Sequence, residues 1–215
     1  PLPADAPITT TFLPSNSRIG HLGQLRGDSR VLVGSPRACT LVADKGHRRN
    51  MPLPPALGDL KGKKVVIIGG SAGIGYATAA RALAAGAEVA ISARGVERLE
   101  KAAKSLAADA GRPVRHEALD MRERQTVAAY LQRQAPFDHL VLPGATVYRT
   151  TFADLDEEKA RASVDAKFWG PFWAAYDARP HLRRGGTITF YSGLANRRPV
   201  PGYVIGAVID GCQIG

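Results

Sequence analysis

The sequence predicts an α/β fold in which a doubly wound parallel sheet lies between two layers of helices. Three observations support this prediction. Val65 to Ile68 is an unbroken β-branched run, typical of a strand that is buried on both faces of a parallel sheet. Apolar strand-like runs then alternate with helical stretches along the chain. A glycine-rich turn joins the first strand to the first helical stretch.

The first β-α-β unit follows directly from composition. The strand Val65–Ile68 precedes an alanine-rich segment, Tyr76–Ala85, which favours a helix because alanine has the highest helix propensity. Gly86 is suited to end this helix, and Glu88–Ser92 returns as the second strand.

The alternation continues to the end of the predicted sheet. Val96–Ala110 is a helix that Gly111 ends, before a short strand at Val114–Leu119. The remaining elements are the helix Arg122–Gln134, the strand His139–Leu142, the helix Asp165–Leu182 and the strand Thr187–Tyr191. Strands separated by helices imply parallel pairing with right-handed connections, and therefore a three-layer α-β-α arrangement.

Two regions are predicted along the chain. Residues 1–58 hold eight of the fifteen prolines and show no sustained period, so we expect a poorly ordered or non-native N-terminal extension. Met51 favours a natural start of the domain near it, and a transit peptide is the alternative that the scarcity of acidic residues suggests. The globular domain is expected to comprise residues 59–215.

Composition restricts the function classes. The formal net charge is +10, but no basic run is interleaved with aromatic residues, so we expect a phosphate-bearing cofactor rather than nucleic acid as the anionic ligand. Cys39 and Cys212 do not have metal-ligand spacing, so we expect no metal and a reducing, cytoplasmic location. The sequence has no run of eighteen apolar residues, so we expect no membrane span.

The glycine-rich turn is the strongest functional motif. Gly69, Gly73 and Gly75 have the spacing Gly-x-x-x-Gly-x-Gly between a buried strand and a helix. Glycine lets the backbone approach a pyrophosphate closely, and the helix that follows offers unpaired N–H groups. We therefore predict a Rossmann-type nucleotide-binding domain, in which Ser71 and Ile74 also line the phosphate site.

About residues 60–195 resemble classical short-chain dehydrogenases/reductases. The resemblance is carried by the segments Gly69–Gly75, Ser92–Arg94, Leu119–Met121 and Gly185–Ile188. Ile68 departs from the family, which usually has threonine before the first glycine. The resemblance implies a nicotinamide cofactor and hydride transfer to or from an alcohol or carbonyl group. It also implies further C-terminal strands, so the sheet is expected to be C-terminally incomplete.

The end of the second strand indicates which cofactor is bound. A carboxylate there would accept hydrogen bonds from the adenosine ribose diol and repel a 2′-phosphate. Ala93 stands at this position and Arg94 follows it, so the guanidinium is able to pair with a 2′-phosphate. NADP is therefore expected rather than NAD. A solvated charge at a strand end is the alternative interpretation of Arg94.

Two later loops complete the predicted cofactor site. The resemblance implies that Asp120 and Met121 receive the adenine amine, while an N-cap on the next helix is the alternative role for Asp120. Gly144 and Ala145 stand where the family usually shows Asn-Asn-Ala-Gly. Their small size lets the cofactor pass, but the amide side chains are absent.

The catalytic group that the resemblance implies is altered. The family uses a tyrosine as acid/base, a lysine that lowers its pKa, a serine that contacts the carbonyl, and an asparagine. Gly193 stands at the serine position, so Ser192 would contact the substrate only if the loop shifted. Lys167 holds the asparagine position and is a candidate to polarise a carbonyl; a helix-surface lysine is the alternative.

The tyrosine and lysine do not occur at their usual spacing. Tyr203 is the tyrosine at a plausible distance, and it is the third candidate catalytic residue, but Ala207 stands four residues later. Counting thirteen residues from the serine position reaches Gly206 and Asp210 instead. Neither register supplies Tyr-x-x-x-Lys.

An aromatic stripe lies on the long predicted helix. Its members recur at three- and four-residue spacing and are Phe168, Trp169, Phe172, Trp173 and Tyr176. We predict that the stripe is mainly core. Because the corresponding family helix commonly packs against its twin, a homo-oligomer through the helix Lys167–Leu182 is also expected.

Two functions remain in view. The first is an NADP-dependent oxidoreductase that transfers a hydride between NADP(H) and a small alcohol or carbonyl substrate. The alternative is a non-catalytic nucleotide-binding or assembly module with the same fold.

Overall fold

The computed structural model describes residues 8–12, 60–144, 147–195, 197–198 and 200–212. The strands are β1 Ile8–Phe12, β2 Lys64–Ile68, β3 Glu88–Ala93, β4 Arg115–Ala118, β5 Phe137–Leu142 and β6 Leu182–Ser192. The helices are α1 Gly73–Ala84, α2 Val96–Ala110, α3 Arg124–Gln134, α4 Glu157–Val164, α5 Gly170–Ala178 and α6 Val204–Cys212. A π-helical turn, Asp165–Trp169, joins α4 to α5, and a 3₁₀ turn, Arg179–His181, follows α5.

The strands form one parallel sheet in the order β1-β6-β5-β2-β3-β4. From β2 the chain builds outward through β3 and β4, then crosses back to place β5 and β6 on the opposite side. The predicted doubly wound fold is confirmed. The order reverses between β2 and β5, and ligands of open α/β sheets bind outside the carboxyl ends of the strands at this point.

Both faces of the sheet are covered by helices. All five residues of β2 are buried, as the β-branched run predicts. Val65 and Ile67 belong to a core cluster with residues of α1 and α2, whereas Val66 and Ile68 belong to a second cluster with residues of α3 and α5. Alternate side chains of one strand therefore hold the two helical layers, which gives the predicted three-layer arrangement.

The helix predicted as Asp165–Leu182 has the wrong bounds. Helical structure begins earlier, at α4, where the Asp156 carboxylate caps the helix by accepting a hydrogen bond from the Lys159 N–H at 3.0 Å. The α-helix ends at Ala178, the 3₁₀ turn follows it, and Leu182 is already the first residue of β6, where it pairs with Phe137. Pairing with β5 extends this strand five residues before the predicted start at Thr187.

The aromatic stripe is not mainly core. Trp169, Phe172 and Tyr176 are 43%, 46% and 46% exposed. The inner face of α5 is formed by small residues instead, because Ala174 and Ala178 are fully buried at helical spacing. A helix that presents alanine to the sheet leaves its bulky side chains on the outer face.

The N-terminal region is described only in part. Of the predicted extension 1–58, residues Ile8–Phe12 form β1 at the sheet edge, and the rest of that prediction lies outside the described residues. Within the described part of the chain, no helix is long and apolar enough to cross a membrane. The same residues contain no group of three or more His, Cys, Asp or Glu side chains that could hold a metal ion.

Candidate nucleotide-binding and active site

The glycine loop follows β2 at the switch point of the sheet. The backbone N–H groups of Gly69 and Gly70 both donate to the carbonyl oxygen of Ser92, at 2.7 and 3.0 Å, which fastens the loop to the end of β3. Gly69 has φ +112° and Gly73 has φ +55°, conformations that side chains rarely adopt. The loop conformation therefore requires glycine at these positions.

The space around the loop also requires glycine. A Cβ atom at Gly75 would overlap the carbonyl oxygen of Gly69 and lie 2.8 Å from its carbonyl carbon. A Cβ atom at Gly70 would lie 2.6 Å from the Cβ atom of Ile91. Helix α1 begins at Gly73, so its first N–H groups have no acceptor within the helix. This tight loop and open helix end suit a phosphate group, with Ile74 exposed beside them.

Two arginines lie at the end of β3, next to the loop. Arg94 is exposed directly after the buried Ala93. Arg98, in the first turn of α2, donates from Nε to the Ser71 hydroxyl at 3.3 Å. Sequence reasoning missed Arg98. The available signal was a second arginine in the first turn of the predicted helix, four residues after Arg94.

Asp120 and Met121 follow β4 and have different surroundings. Arg122 donates to both oxygens of the Asp120 carboxylate at 2.6 to 3.1 Å, and these side-chain hydrogen bonds lower the pKa of Asp120. The N-cap of α3 is Glu123, so the alternative N-cap role for Asp120 is wrong. Met121 packs against Gly170, where a Cβ atom would lie 2.9 Å from the Met121 Cγ atom.

The loop after β5 contacts the glycine loop. A Cβ atom at Gly69 would lie 3.3 Å from the Cγ atom of Pro143, so the two loops pack closely at the switch point. Gly144 follows with φ +90°. Ala145, the last predicted cofactor residue, lies outside the described residues.

Ser192 ends β6 and faces the last helix. It is 5% exposed, and its hydroxyl donates to the backbone carbonyl oxygen of Asp210 on α6 at 3.3 Å. Gly193 follows, and a Cβ atom there would lie 3.1 Å from the carboxylate carbon of Asp210 and overlap one of its oxygens. The carboxylate of Asp210 therefore occupies the space beside the position at which the family has its catalytic serine.

Lys167 is buried in the π-helical turn. It is 9% exposed, and its Nζ lies 3.4 Å from Oδ1 of Asp210, whose side chain is 1% exposed. The alternative of a surface lysine is wrong, because the lysine forms an ion pair inside the protein. From sequence, Asp210 is noticeable only because one of the two registers places it where the family has lysine.

Tyr203 lies just before α6 and is half-buried. A Cβ atom at Gly206 would lie 2.6 Å from the Cδ1 atom of Tyr203 and would overlap the ring further out, so the ring covers this glycine. Burial and the nearby negative charge of Asp210 raise the pKa of Tyr203, against the opposing charge of Arg149, whose guanidinium lies 5.0 Å from the ring centre. The phenol is therefore protonated at neutral pH, and is suited to donate a hydrogen bond rather than to act as a base.

The structure thus brings the candidate residues into two groups. Those predicted to bind phosphate and adenosine lie at the carboxyl ends of β2, β3 and β4. Ser192, Lys167 and Tyr203 lie around Asp210, where β6, the π-helical turn and α6 meet. The first group can hold an anionic dinucleotide, and the second offers a hydroxyl, a phenol and an ammonium.

Comparisons with known proteins agree with this architecture. Residues 63–205 match the family model described as short chain dehydrogenase. A short-chain dehydrogenase from Burkholderia cenocepacia, solved in complex with NADP, has a TM-score of 0.68 at 30% identity and is covered to 66%, over 74% of this chain. The reductase/Diels-Alderase MalC from Malbranchea aurantiaca has a TM-score of 0.66 at 25% identity, over 72% of this chain and 65% of MalC.

Curated relatives match over part of their length. A 3-dehydrosphinganine reductase of Arabidopsis thaliana is 30% identical over 124 residues, which are 58% of this chain and 38% of that protein. A short-chain dehydrogenase/reductase of Stachybotrys chlorohalonatus is 26% identical over 68% of this chain and 62% of its own length. The family model covers well over half of the chain. The chain therefore belongs to the short-chain dehydrogenase/reductase family, whose members bind nicotinamide cofactors and act on small-molecule substrates.

Proposed function

We propose that this chain is an NADP(H)-dependent oxidoreductase that transfers a hydride between the cofactor and an alcohol or carbonyl substrate. One observation carries the cofactor assignment: the tight glycine loop is flanked by Arg94 and Arg98, and no carboxylate ends β3. The NADP complex of the related Burkholderia cenocepacia dehydrogenase supports it. Because the chain spans only part of its relatives, the activity of the whole protein is part of the proposal.

The residues present fit a dinucleotide. Gly70 and Gly75 leave space that any Cβ atom would fill, and the first turn of α1 offers unpaired N–H groups to a phosphate. Arg94 and Arg98 would hold a 2′-phosphate by charge-assisted hydrogen bonds. Asp120 and Met121 would face the adenine, and Gly144 with Ala145 would let the dinucleotide pass. When bound, the cofactor supplies or accepts the hydride.

The chain's own residues would orient and polarise the substrate. Lys167 offers a positive charge, and Tyr203 offers a hydroxyl that its raised pKa keeps protonated. Ser192 is a candidate contact for the carbonyl group, but its hydroxyl already donates to the backbone of Asp210. Hydrogen bonds to the carbonyl oxygen would stabilise the negative charge that develops there during reduction.

A non-catalytic nucleotide-binding or assembly module is the second candidate. The observation that favours it is that Ala207 rather than lysine stands four residues after Tyr203, and that burial together with the charge of Asp210 raises the pKa of the phenol. Such a protein would keep the glycine loop and bind the cofactor without turnover.

Fluorescence titration and a reductase assay separate these candidates. We expect the purified full chain to bind NADPH more tightly than NADH and to oxidise NADPH with a member of an aldehyde and ketone panel. Tighter binding of NADH would contradict the cofactor assignment. Binding of NADPH without turnover on any panel member would favour the module.

The oligomeric state and the cellular location are also proposals. The exposed aromatic side chains of the π-helical turn and α5, among them Trp169, Phe172 and Tyr176, would form part of a homo-oligomer interface. A reducing, cytoplasmic location would suit the two cysteines, of which Cys212 is exposed and free. Sedimentation analysis and cell fractionation test these two points.

A further inference from the structure

The Lys167–Asp210 pair joins two elements across the site. Lys167 lies in the π-helical turn before α5, and Asp210 lies on α6, with 3.4 Å between Nζ and Oδ1. Lys167 thus places a positive charge at the asparagine position of the family. In the register that counts thirteen residues from the serine position, Asp210 places a negative charge at the lysine position. The two changes compensate each other in charge, because a buried ammonium or carboxylate without an opposite charge is costly.

Two glycines make room for this arrangement. Gly193 stands at the serine position, and any side chain there would overlap the Asp210 carboxylate. In the register that places Asp210 at the lysine position, Gly206 stands at the tyrosine position, and any side chain there would overlap the ring of Tyr203. The four altered positions therefore pack against one another, directly or through Tyr203, and their changes depend on each other. They are Lys167, Gly193, Gly206 and Asp210.

The carboxylate of Asp210 is not fully satisfied, whereas the carboxylate of a purely structural ion pair would be. Among the described residues, neither oxygen of the Asp210 carboxylate has a hydrogen-bond partner, although the side chain is 1% exposed. Buried carboxylates in structural pairs normally have their lone pairs satisfied. Unmet acceptors leave hydrogen-bonding capacity for a ligand or for water that accompanies it.

The backbone around Lys167 has the same character. The segment Asp165–Trp169 is π-helical between two α-helices, and such turns are frequent at functional sites because they redirect a side chain. Here the turn carries Lys167 toward α6 and the end of β6, where Ser192 also lies.

From these observations, and resting on the proposed function, we infer that Asp210 is a positioning residue that holds the Lys167 ammonium toward the substrate carbonyl oxygen. The pair thereby replaces the missing tyrosine–lysine pair. As the carbonyl carbon gains the hydride that NADPH would supply, its oxygen would gain a proton from the ammonium, and one proton taken up from the solvent would restore the ammonium. The cofactor is the reductant, so atoms and electrons balance.

The test compares single and double neutral variants of the full chain. We propose Lys167→Met, Asp210→Asn and the combined variant, with Lys104→Met and Asp109→Asn as matched controls, because both control side chains are exposed on α2. The measurements are kcat and KM for NADPH oxidation, NADPH affinity by fluorescence, and the thermal unfolding midpoint.

We expect each single variant to lose about 100-fold in kcat, as when an oxyanion donor is removed, with little change in NADPH affinity. Each should also lower the unfolding midpoint, on the order of 10 °C, because the buried ion pair is broken. The double variant should regain most of the midpoint but none of the turnover. The controls should match the unmodified chain.

The outcomes distinguish a failure of the role inferred for Asp210 from a failure of the proposed oxidoreductase function. Recovery of turnover together with stability in the double variant would overturn the inference, since it would assign the pair a structural role. Unchanged kcat in Asp210→Asn would do the same. Absence of turnover in the unmodified chain would instead overturn the proposed function, and this inference with it.

Discussion

Replacing Gly75 by alanine perturbs the centre of the predicted phosphate site. The added Cβ atom would overlap the carbonyl oxygen of Gly69 and lie 2.8 Å from its carbonyl carbon. This distance is shorter by about 0.6 Å than the 3.4 Å at which ordinary contact begins. Both clashing atoms belong to the backbone, so the loop has to move as a unit.

The size of the effect follows from this displacement. A loop hydrogen bond to a phosphate near ~2.9 Å would stretch to roughly 3.5 Å, where it contributes little. One hydrogen bond to a charged group contributes about 1.5–3 kcal/mol, which corresponds to about 10- to 150-fold in affinity. Overpacking costs about 1–3 kcal/mol of folding free energy as well.

Fluorescence titration with NADPH measures the affinity, and thermal unfolding measures the cost in stability. Ala108→Ser is the control, because Ala108 is exposed on α2, away from the glycine loop and from Arg94 and Arg98. We expect the control to bind NADPH like the unmodified chain. Unweakened NADPH binding by the Gly75→Ala variant would refute the assignment of this loop to the phosphate.

Three further predictions test other parts of the site and the core. Arg94→Ala should weaken NADPH binding at least about tenfold and leave NADH binding unchanged, as measured by titration with both cofactors and with Lys101→Ala as the control. Equal losses of affinity for both cofactors would contradict the pairing of Arg94 with a 2′-phosphate. Tyr203→Phe should leave the shape of the pH–rate profile below pH ~9 unchanged, because the raised pKa keeps the phenol protonated there; loss of an inflection in that range would contradict this. Burial alone would raise the pKa of Asp138, but the hydrogen bonds that its carboxylate accepts outweigh burial and lower the pKa. The ionised carboxylate therefore stabilises the fold at pH values above the pKa of the unfolded chain, near ~4, and this stabilisation is lost as the pH falls through the pKa of the folded state. Asp138→Asn should therefore cost about 1–3 kcal/mol at neutral pH and flatten the acid limb of the unfolding curve, whereas Asp109→Asn should not; identical acid limbs would argue against this role.

The structure also explains why Asp138 is sensitive. Its carboxylate accepts hydrogen bonds from the Lys64 N–H at 2.8 Å and from Arg183 Nη1 at 2.6 Å, while its side chain is 5% exposed. It joins β2, β5 and β6 at the amino-terminal side of the sheet, away from the candidate site. Its loss is expected to reduce stability without changing cofactor affinity.

The sequence by itself determined the α/β fold and the place of the glycine loop. Both depend on local physics: a β-branched run such as Val65–Ile68 forms a strand buried on both faces, and the glycines from Gly69 to Gly75 suit a tight turn before a helix. The strand–glycine–helix order therefore predicted a nucleotide-binding turn before any tertiary contact was known. Element ends were less certain, as at Leu182, because strand length is set by a partner strand rather than by local propensity.

Only the tertiary structure decided what surrounds the altered catalytic positions. Lys167 and Asp210 are 43 residues apart in sequence, and each alone is an ordinary charged residue on a helical segment. Folding brings them together in the interior, at a distance that neither pattern nor propensity encodes. The burial of this pair and the unmet oxygens of Asp210 arise from long-range packing of α6 against the carboxyl end of β6 and the π-helical turn, which local sequence does not specify.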